Sequence, residues 1–377
     1  MKGSPKSEGA NSLKSAHKAL QANPLWKSPL HVQIRETLRQ LIKDQFKPGD
    51  KFFSEPELIK QLGVSQGTVR RALTDLSHEG ILIRRVPQGT FIAENPTEGY
   101  TLGVFMPQYD SPFLMDLLEY ISKGCRNQSV PIKIHKTYRG EELNSALSGI
   151  NPITTHERIL LLGETPETAI ELHRTLSNRG YRVINVDTLL EGCGDGYVGV
   201  DNVAGIEMGL NYLVDLGHKR ITLLVNETME SGNIRERVAA FENFCKEHNL
   251  PESKVVDCGT DFWTDSSETA SSHMSEVMSA TAPPTAIMTV SAPGAWGVLQ
   301  WLQENHVAVP EKVSLLSFDD ATTNRFLHPT LTSIAQPIEE MAQRILELIF
   351  ADEMPEQATH LLTPYLVIRK SCSKMTQ

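Results

Sequence analysis

The sequence predicts a small α+β head, three short helices closed by a β-hairpin, followed by a larger α/β body with parallel sheets in two lobes. Three observations predict it. Charge is partitioned along the chain: residues 1–96 carry 15 Lys and Arg against 9 Asp and Glu, and the remainder 21 against 37. Helix caps, turn glycines and short apolar segments follow one another from Ser54 to Ala93. Beyond residue 100, short apolar runs alternate with helical patterns over roughly 270 residues.

Length and composition bound the rest. At 377 residues the chain exceeds one ordinary core, so two or three domains are expected. Hydrophobic residues at 40% and charged residues at 22% suit a soluble globular protein. No apolar run reaches the roughly 18 residues of a membrane span, so no membrane partner is expected. Residues 1–26, rich in Ser, Lys, Ala and Asn, lack the apolar stretch of a secretory signal and read as a disordered N-terminal extension. The five cysteines are scattered with no C-x-x-C, which fits free thiols in a reducing compartment and predicts neither zinc nor a cofactor. A cytoplasmic location follows from both readings.

The head is expected over residues 27–94. From Pro29 the apolar positions Leu30, Ile34, Leu38, Leu41 and Ile42 recur at helical spacing, and Lys47-Pro48-Gly49-Asp50 ends that helix. Ser54-Glu55-Pro56-Glu57 is a capping box with Pro in the first turn. Gly63 closes the second helix and Ser65 is placed to cap the third. In that third helix Val69, Ala72, Leu73 and Leu76 form the apolar stripe, while Gln66 and Thr68 stand in its first turn and Arg70 and Arg71 stand off the stripe. Two short helices joined at a tight glycine turn, the second polar and basic at its start, make a helix-turn-helix. Ile81–Arg85 and Thr90–Ala93 then read as strands around Val86-Pro87-Gln88-Gly89, a hairpin wing.

Pro29-Leu30 with Gln33-Ile34, Pro48-Gly49, Ser54-Glu55 with Glu57-Leu58, Gly63-Val64-Ser65 with Thr68-Val69-Arg70, and Gly89-Thr90-Phe91 resemble, in order and spacing, the GntR family of winged-helix regulators. The resemblance covers residues 27–93. It implies that the recognition helix enters the DNA major groove and the wing tip the minor groove. Contacts are then implied at Ser54, Ser65, Gln66, Thr68, Arg70 and Arg71, with Gln88, Gly89 and Thr90 at the wing tip. Chemically, Arg70 can bridge a guanine edge or clamp a phosphate, Gln66 can pair with adenine, and threonine hydroxyls reach phosphates. Pro87 and Gln88 stand where Gly-Lys is frequent, so fewer cations at the wing shift the expected specificity onto the recognition helix.

Residues 95–99 form the expected linker. The body, residues 100–372, carries apolar runs at 102–106, 132–134, 159–162, 183–186, 221–225, 286–290 and 313–318. Ligands in parallel sheets bind beyond the carboxyl ends of the strands, so residues just after each run are favoured. Tyr100–Val104 with Ser111-Pro112-Phe113, Val200-Asp201-Asn202 with Leu216–Ile221, Arg235-Glu236-Arg237, Ser317–Asp320, Leu331–Ile334 with Gln336, and Leu366–Arg369 together resemble the LacI/GalR effector domain, a relative of periplasmic sugar-binding proteins. The resemblance implies two lobes, about 100–199 with 337–360 and about 200–335 with 361–372. It also implies effector contacts at Tyr109, Ser111, Phe113, Asp187, Arg237, Trp263, Ser291, Asp319 and Gln336. Carboxylates and a guanidinium give paired hydrogen bonds to vicinal hydroxyls, and an aromatic face covers a sugar ring. Ser291 and Ala292 replace the Asn and Asp that sugar-binding members usually carry, which leaves a purine or a modified sugar open.

No H-E-x-x-H or Walker A sequence is present, and no enzyme is predicted. The expectation is a sugar-responsive repressor, a homodimer on a pseudo-palindromic double-stranded DNA operator. The rival readings are a solute-binding protein and an enzyme built on the two-lobed body.

Overall fold

The computed structural model describes residues 30–375 apart from 79–80, 86, 94–100, 108–110, 129, 138–157, 179–180, 190–193, 263, 352–353 and 356–357. The expected extension, residues 1–26, and the expected linker, residues 95–99, lie outside the described residues, as do Tyr109 and Trp263.

Three helices open the head: α1 (Leu30–Gln45), α2 (Glu55–Leu62) and α3 (Gln66–His78). Helix α2 starts where the capping box places it. The Glu57 carboxylate reaches back to accept from the Ser54 backbone N–H at 2.6 Å and from its hydroxyl at 2.8 Å. Gly63 ends α2 with φ 67°, a left-handed turn that a side chain would strain, and Ser65 then accepts from the Thr68 N–H at 3.3 Å to start α3. The hairpin pairs β1 (Leu82–Arg85) with β2 (Gly89–Ile92), Arg85 opposite Gly89. A feature not anticipated is a third backbone segment alongside it. Phe52 N–H donates to Thr90 O and Ile92 N–H to Asp50 O, both at 2.8 Å, which ties the end of the α1–α2 loop to the wing. Leu38, Leu58, Val69, Leu73 and Leu76 meet in a buried core. Phe46, Phe52 and Phe53 join it, packed edge to face at 5.2–5.8 Å.

Among the described residues the body holds two six-stranded sheets. The first takes β3 (Leu102–Pro107), β4 (Ile132–Thr137), β5 (Arg158–Leu162), β6 (Arg182–Val186), β7 (Gly196–Val200) and β13 (Thr359–Leu362), in the order β13-β7-β6-β5-β3-β4. The second takes β8 (Ile221–Val225), β9 (Lys254–Asp257), β10 (Ala286–Thr289), β11 (Ser314–Phe318), β12 (Thr332–Ala335) and β14 (Tyr365–Val367), in the order β14-β12-β11-β10-β8-β9. Strands β5, β6, β7 and β13 pair in parallel, as do β9, β8, β10, β11 and β12, whereas β14 lies antiparallel on β12. The chain therefore passes between sheets three times: after β7, after β12, and between β13 and β14.

Helices α4 (Pro112–Asn127), α5 (Pro166–Ser177) and α10 (Ile338–Phe350) accompany the first sheet. Helices α6 (Asn202–Asp215), α7 (Gly232–Glu247), α8 (Ser266–Ser279) and α9 (Ala292–Glu304) accompany the second. Strands β5, β8, β10 and β11 are buried along their whole length, the pattern of a parallel sheet covered on both faces. Strand β12 is buried although its sequence, Thr-Ser-Ile-Ala, is half polar. Its polar groups are satisfied from the side: Ser371 accepts from the Thr332 N–H at 2.8 Å, Arg369 N–H donates to the Thr332 hydroxyl, and Asn324 donates to Ser333. Among the described residues no helix is long and apolar enough to cross a membrane.

Candidate functional site

In the head, the recognition-helix side chains are organised by one carboxylate. Glu55, at the first position of α2, accepts from Gln66 Nε2 at 2.9 Å and pairs with Arg70 at 3.1 Å, with Arg84 of the wing at 4.0 Å. The Gln66 hydrogen bond and the two guanidinium groups hold the Glu55 carboxyl below its ordinary range. Arg70 nonetheless keeps 60% of its side chain exposed. Gln66, Arg71, Ser54 and Ser65 are exposed as well, and Thr68 is half-buried with its hydroxyl bonded to Ser65 at 2.8 Å. At the wing, Gln88 and Gly89 are exposed and Thr90 half-buried. Arg85 lies over the Phe91 ring at 5.3 Å, so β1 supplies cations beside a tip that has none.

In the body, one cleft collects the strand ends. Asp187 follows β6, Ser291 follows β10, Asp319 follows β11 and Gln336 follows β12; Ser111 and Phe113 stand at the start of α4, and Arg237 reaches in from α7. All seven described residues expected to hold an effector line this one cavity. Asp187 and Asp319 both take positive φ, 71° and 68°, a backbone conformation sparsely populated by non-glycine residues and concentrated at functional sites. Gln336 Nε2 donates to Asp319 Oδ1 at 2.7 Å. Asn233 Nδ2, on α7, donates to Asp187 Oδ2 at 2.9 Å, a bond from the second lobe to the first.

Arg237 is 2% exposed, with its guanidinium 3.6 Å from the Phe318 ring centroid. It donates to Asn202 Oδ1 at 2.9 Å and to Val290 O at 2.6 Å. Burial pushes the Asp187 carboxyl up to about 6, with Arg237 pulling the other way and Asp319 adding to the rise. Asp319 is raised for the same reason, with Arg237 and the Gln336 hydrogen bond opposing. Asp320, its neighbour, points elsewhere and makes a two-pronged pair with Arg369 at 2.5 and 2.7 Å. Adjacent carboxylates on different faces do not form a catalytic pair.

The cleft also contains residues that the sequence reading passed over: Glu227 and Thr228 beyond β8, Ser231 and Asn233 at the start of α7, and Phe262. Glu227 accepts from the Ser291 hydroxyl at 2.5 Å, and Ser291 accepts from Asn226 Nδ2 at 2.6 Å. Its carboxyl is raised by burial, opposed first by the hydroxyls of Ser291 and Ser266 and only weakly by Arg237. The signal for it was available, because Asn226-Glu227 follows the apolar run 221–225 just as Asp187 follows 183–186. The described residues hold no cluster of metal-ligating side chains.

Comparison with known proteins agrees with both halves. Residues 30–92 match the model of bacterial regulatory proteins of the gntR family, and residues 210–372 match a periplasmic binding protein-like domain. The head is a gntR-family domain, and the body is periplasmic-binding-protein-like. The gntR-type head and its body resemble the arabinose metabolism transcriptional repressor of Geobacillus stearothermophilus, 25% identical over 370 residues, which span 92% of this chain and 98% of that one. The HTH-type transcriptional regulator GalS of Salmonella typhimurium is 29% identical over 339 residues, 84% of this chain and 95% of its own. A LacI family transcriptional regulator from Enterococcus faecium, solved with bound ribose, superposes with a TM-score of 0.63 at 20% identity, covering 73% of this chain and all of that one.

Proposed function

We propose that this chain is a cytoplasmic transcription repressor whose gntR-type head holds operator DNA and whose body releases it on binding a small sugar. The convergence of strand-end residues from two sheets onto one cleft, in a chain whose head is of gntR type, carries the reading. The start of α3 enters the major groove: Arg70 and Gln66 read base edges, while Ser54, Ser65, Thr68 and Arg71 engage phosphates. The wing, Gln88 to Thr90, follows the adjacent minor groove. Two copies associated as a homodimer present two heads to a pseudo-palindromic site.

In the cleft, Asp187, Asp319, Arg237 and Gln336 bind ring hydroxyls, Ser111 and Ser291 border them, and Phe113 covers an apolar face. Because Asp187 and Arg237 lie on different lobes, a ligand bonded to both favours the closed arrangement of the body. It can shift DNA affinity only through its differential affinity for the two arrangements, typically about 1–3 kcal/mol. The reading assigns no chemical step to the cleft. The agreement of two whole-length relatives that are themselves named as transcriptional regulators supports it.

The test is a gel-shift titration of the purified protein on its own upstream DNA, with and without candidate sugars. Arg70→Ala is expected to lose operator binding and keep sugar binding, and Asp319→Ala to lose sugar binding. Equal loss of both functions in both variants would sink the assignment.

A further inference from the structure

The charge in the cleft is unbalanced. Asp187, Glu227 and Asp319 line it, and Arg237 is the one Lys or Arg side chain among its described lining residues. Two of the guanidinium's N–H groups are already spent on Asn202 and on Val290 O. Enclosed carboxylates without a counter-charge are costly, and the usual remedies are protonation or a cation.

The hydrogen-bonding groups lean the same way. Ser291 donates its hydroxyl to Glu227, Asn233 donates to Asp187, Gln336 donates to Asp319, and Ser231 donates to Asn233 Oδ1. These donors are spent within the cleft, while each carboxylate keeps lone pairs to offer. Gln336, only 5% exposed, has its Oε1 without a hydrogen-bond partner among the described residues, an independent sign that a donor is due there.

From this charge and donor count we infer that the effector carries a protonated amine beside its hydroxyls, an amino sugar or amino polyol, and that Glu227 seats the ammonium group. The inference rests on the sugar-sensing reading above and narrows its ligand class. Glu227 is the seat because it takes its hydrogen bonds from the neutral groups of Ser291 and Asn226, at 2.5 and 3.4 Å, while Arg237 is bonded to Asn202 Oδ1 and Val290 O. An ammonium has three donors and no acceptor, which matches a surface of free acceptors; a sugar phosphate brings charge of the wrong sign.

The experiment is isothermal titration of the full chain at pH 7.5 with D-glucosamine, D-galactosamine and D-mannosamine. Each is set against its parent hexose and its N-acetyl derivative, in which the charge is gone. At least one amine is expected to bind tenfold or more tighter than both neutral counterparts. Glu227→Gln should shrink that preference below threefold and Glu227→Asp should retain it, with a melting curve for each variant confirming folding. Neutral sugars that bind as well as the amines would overturn the inference and leave the sugar-sensing reading standing. A preference that survives Glu227→Gln would also overturn it, since the ammonium would then sit elsewhere. If no member of any set binds up to 10 mM and none releases operator DNA, both readings fall together.

Discussion

Asp187→Asn should stabilise the ligand-free body at neutral pH while weakening effector binding. The Asp187 carboxyl is raised from 3.8 to about 6, so in the fold its charged form is disfavoured. Each pKa unit is worth about 1.4 kcal/mol, which puts the burden near 3 kcal/mol, and about 2 kcal/mol once water in the cleft screens the charge. With the folded pKa above the unfolded one, stability is greatest below 3.8 and is lost as pH rises through 6. Asparagine keeps an acceptor for Asn233 and removes the charge. Urea unfolding followed by fluorescence of Trp296 and Trp301, both on α9, reports the body. The variant should exceed the parent by about 2 kcal/mol at pH 8, and the two should converge near pH 4. A gain of the same size at both pH values, or a loss at pH 8, would refute the electrostatic reasoning.

Three further outcomes follow from the same geometry. Arg70→Ala should weaken operator binding by about 1–3 kcal/mol in a gel-shift titration while barely moving the melting temperature, because an exposed ion pair adds little to folding. Glu55→Gln should lower the ratio of operator to random-DNA affinity, read by competition binding, since Gln66 and Arg70 lose the group that sets their positions. Gly297→Ala should cost about 2–3 kcal/mol in urea unfolding, because a Cβ there would drive into the Ser267 carbonyl oxygen where α8 crosses α9, and backbone cannot step aside.

How much of this was legible in the sequence depended on how buried each element is. Strands β5, β6, β8, β10 and β11 are central, buried and mostly apolar, so their runs stand out. Strands β9, β13 and β14 sit at sheet edges, where half the side chains face water and no run forms. Strand β12 lacked an apolar run for the opposite reason: it is fully buried, but its Thr332 is satisfied by the C-terminal segment more than 30 residues away and its Ser333 by Asn324. In the cleft, Asp187, Asp319 and Gln336 were found because each follows a run or a motif. Glu227 was legible on the same ground, since Asn226-Glu227 follows the run 221–225, whereas Asn233 follows no run and its role comes from Asp187, 46 residues away, which only folding brings beside it. In the head, local signals were enough for helix caps and turns. The loop strand at Asp50–Phe52 was not, since it depends on a non-local pairing.

Glu55 gives the recognition helix the character of an exchange reaction. On the proposed reading of DNA, Arg70 or Gln66 must give up some of what it already has on Glu55 before it can engage a base. On the right sequence the bases return those bonds with good geometry. On the wrong one the bonds are surrendered for little, while Glu55 itself is left facing the phosphates. The carboxylate that organises the free head thus acts as a toll on mismatched DNA. A small acidic residue in a basic head raises selectivity by lowering the affinity of every site that cannot repay it.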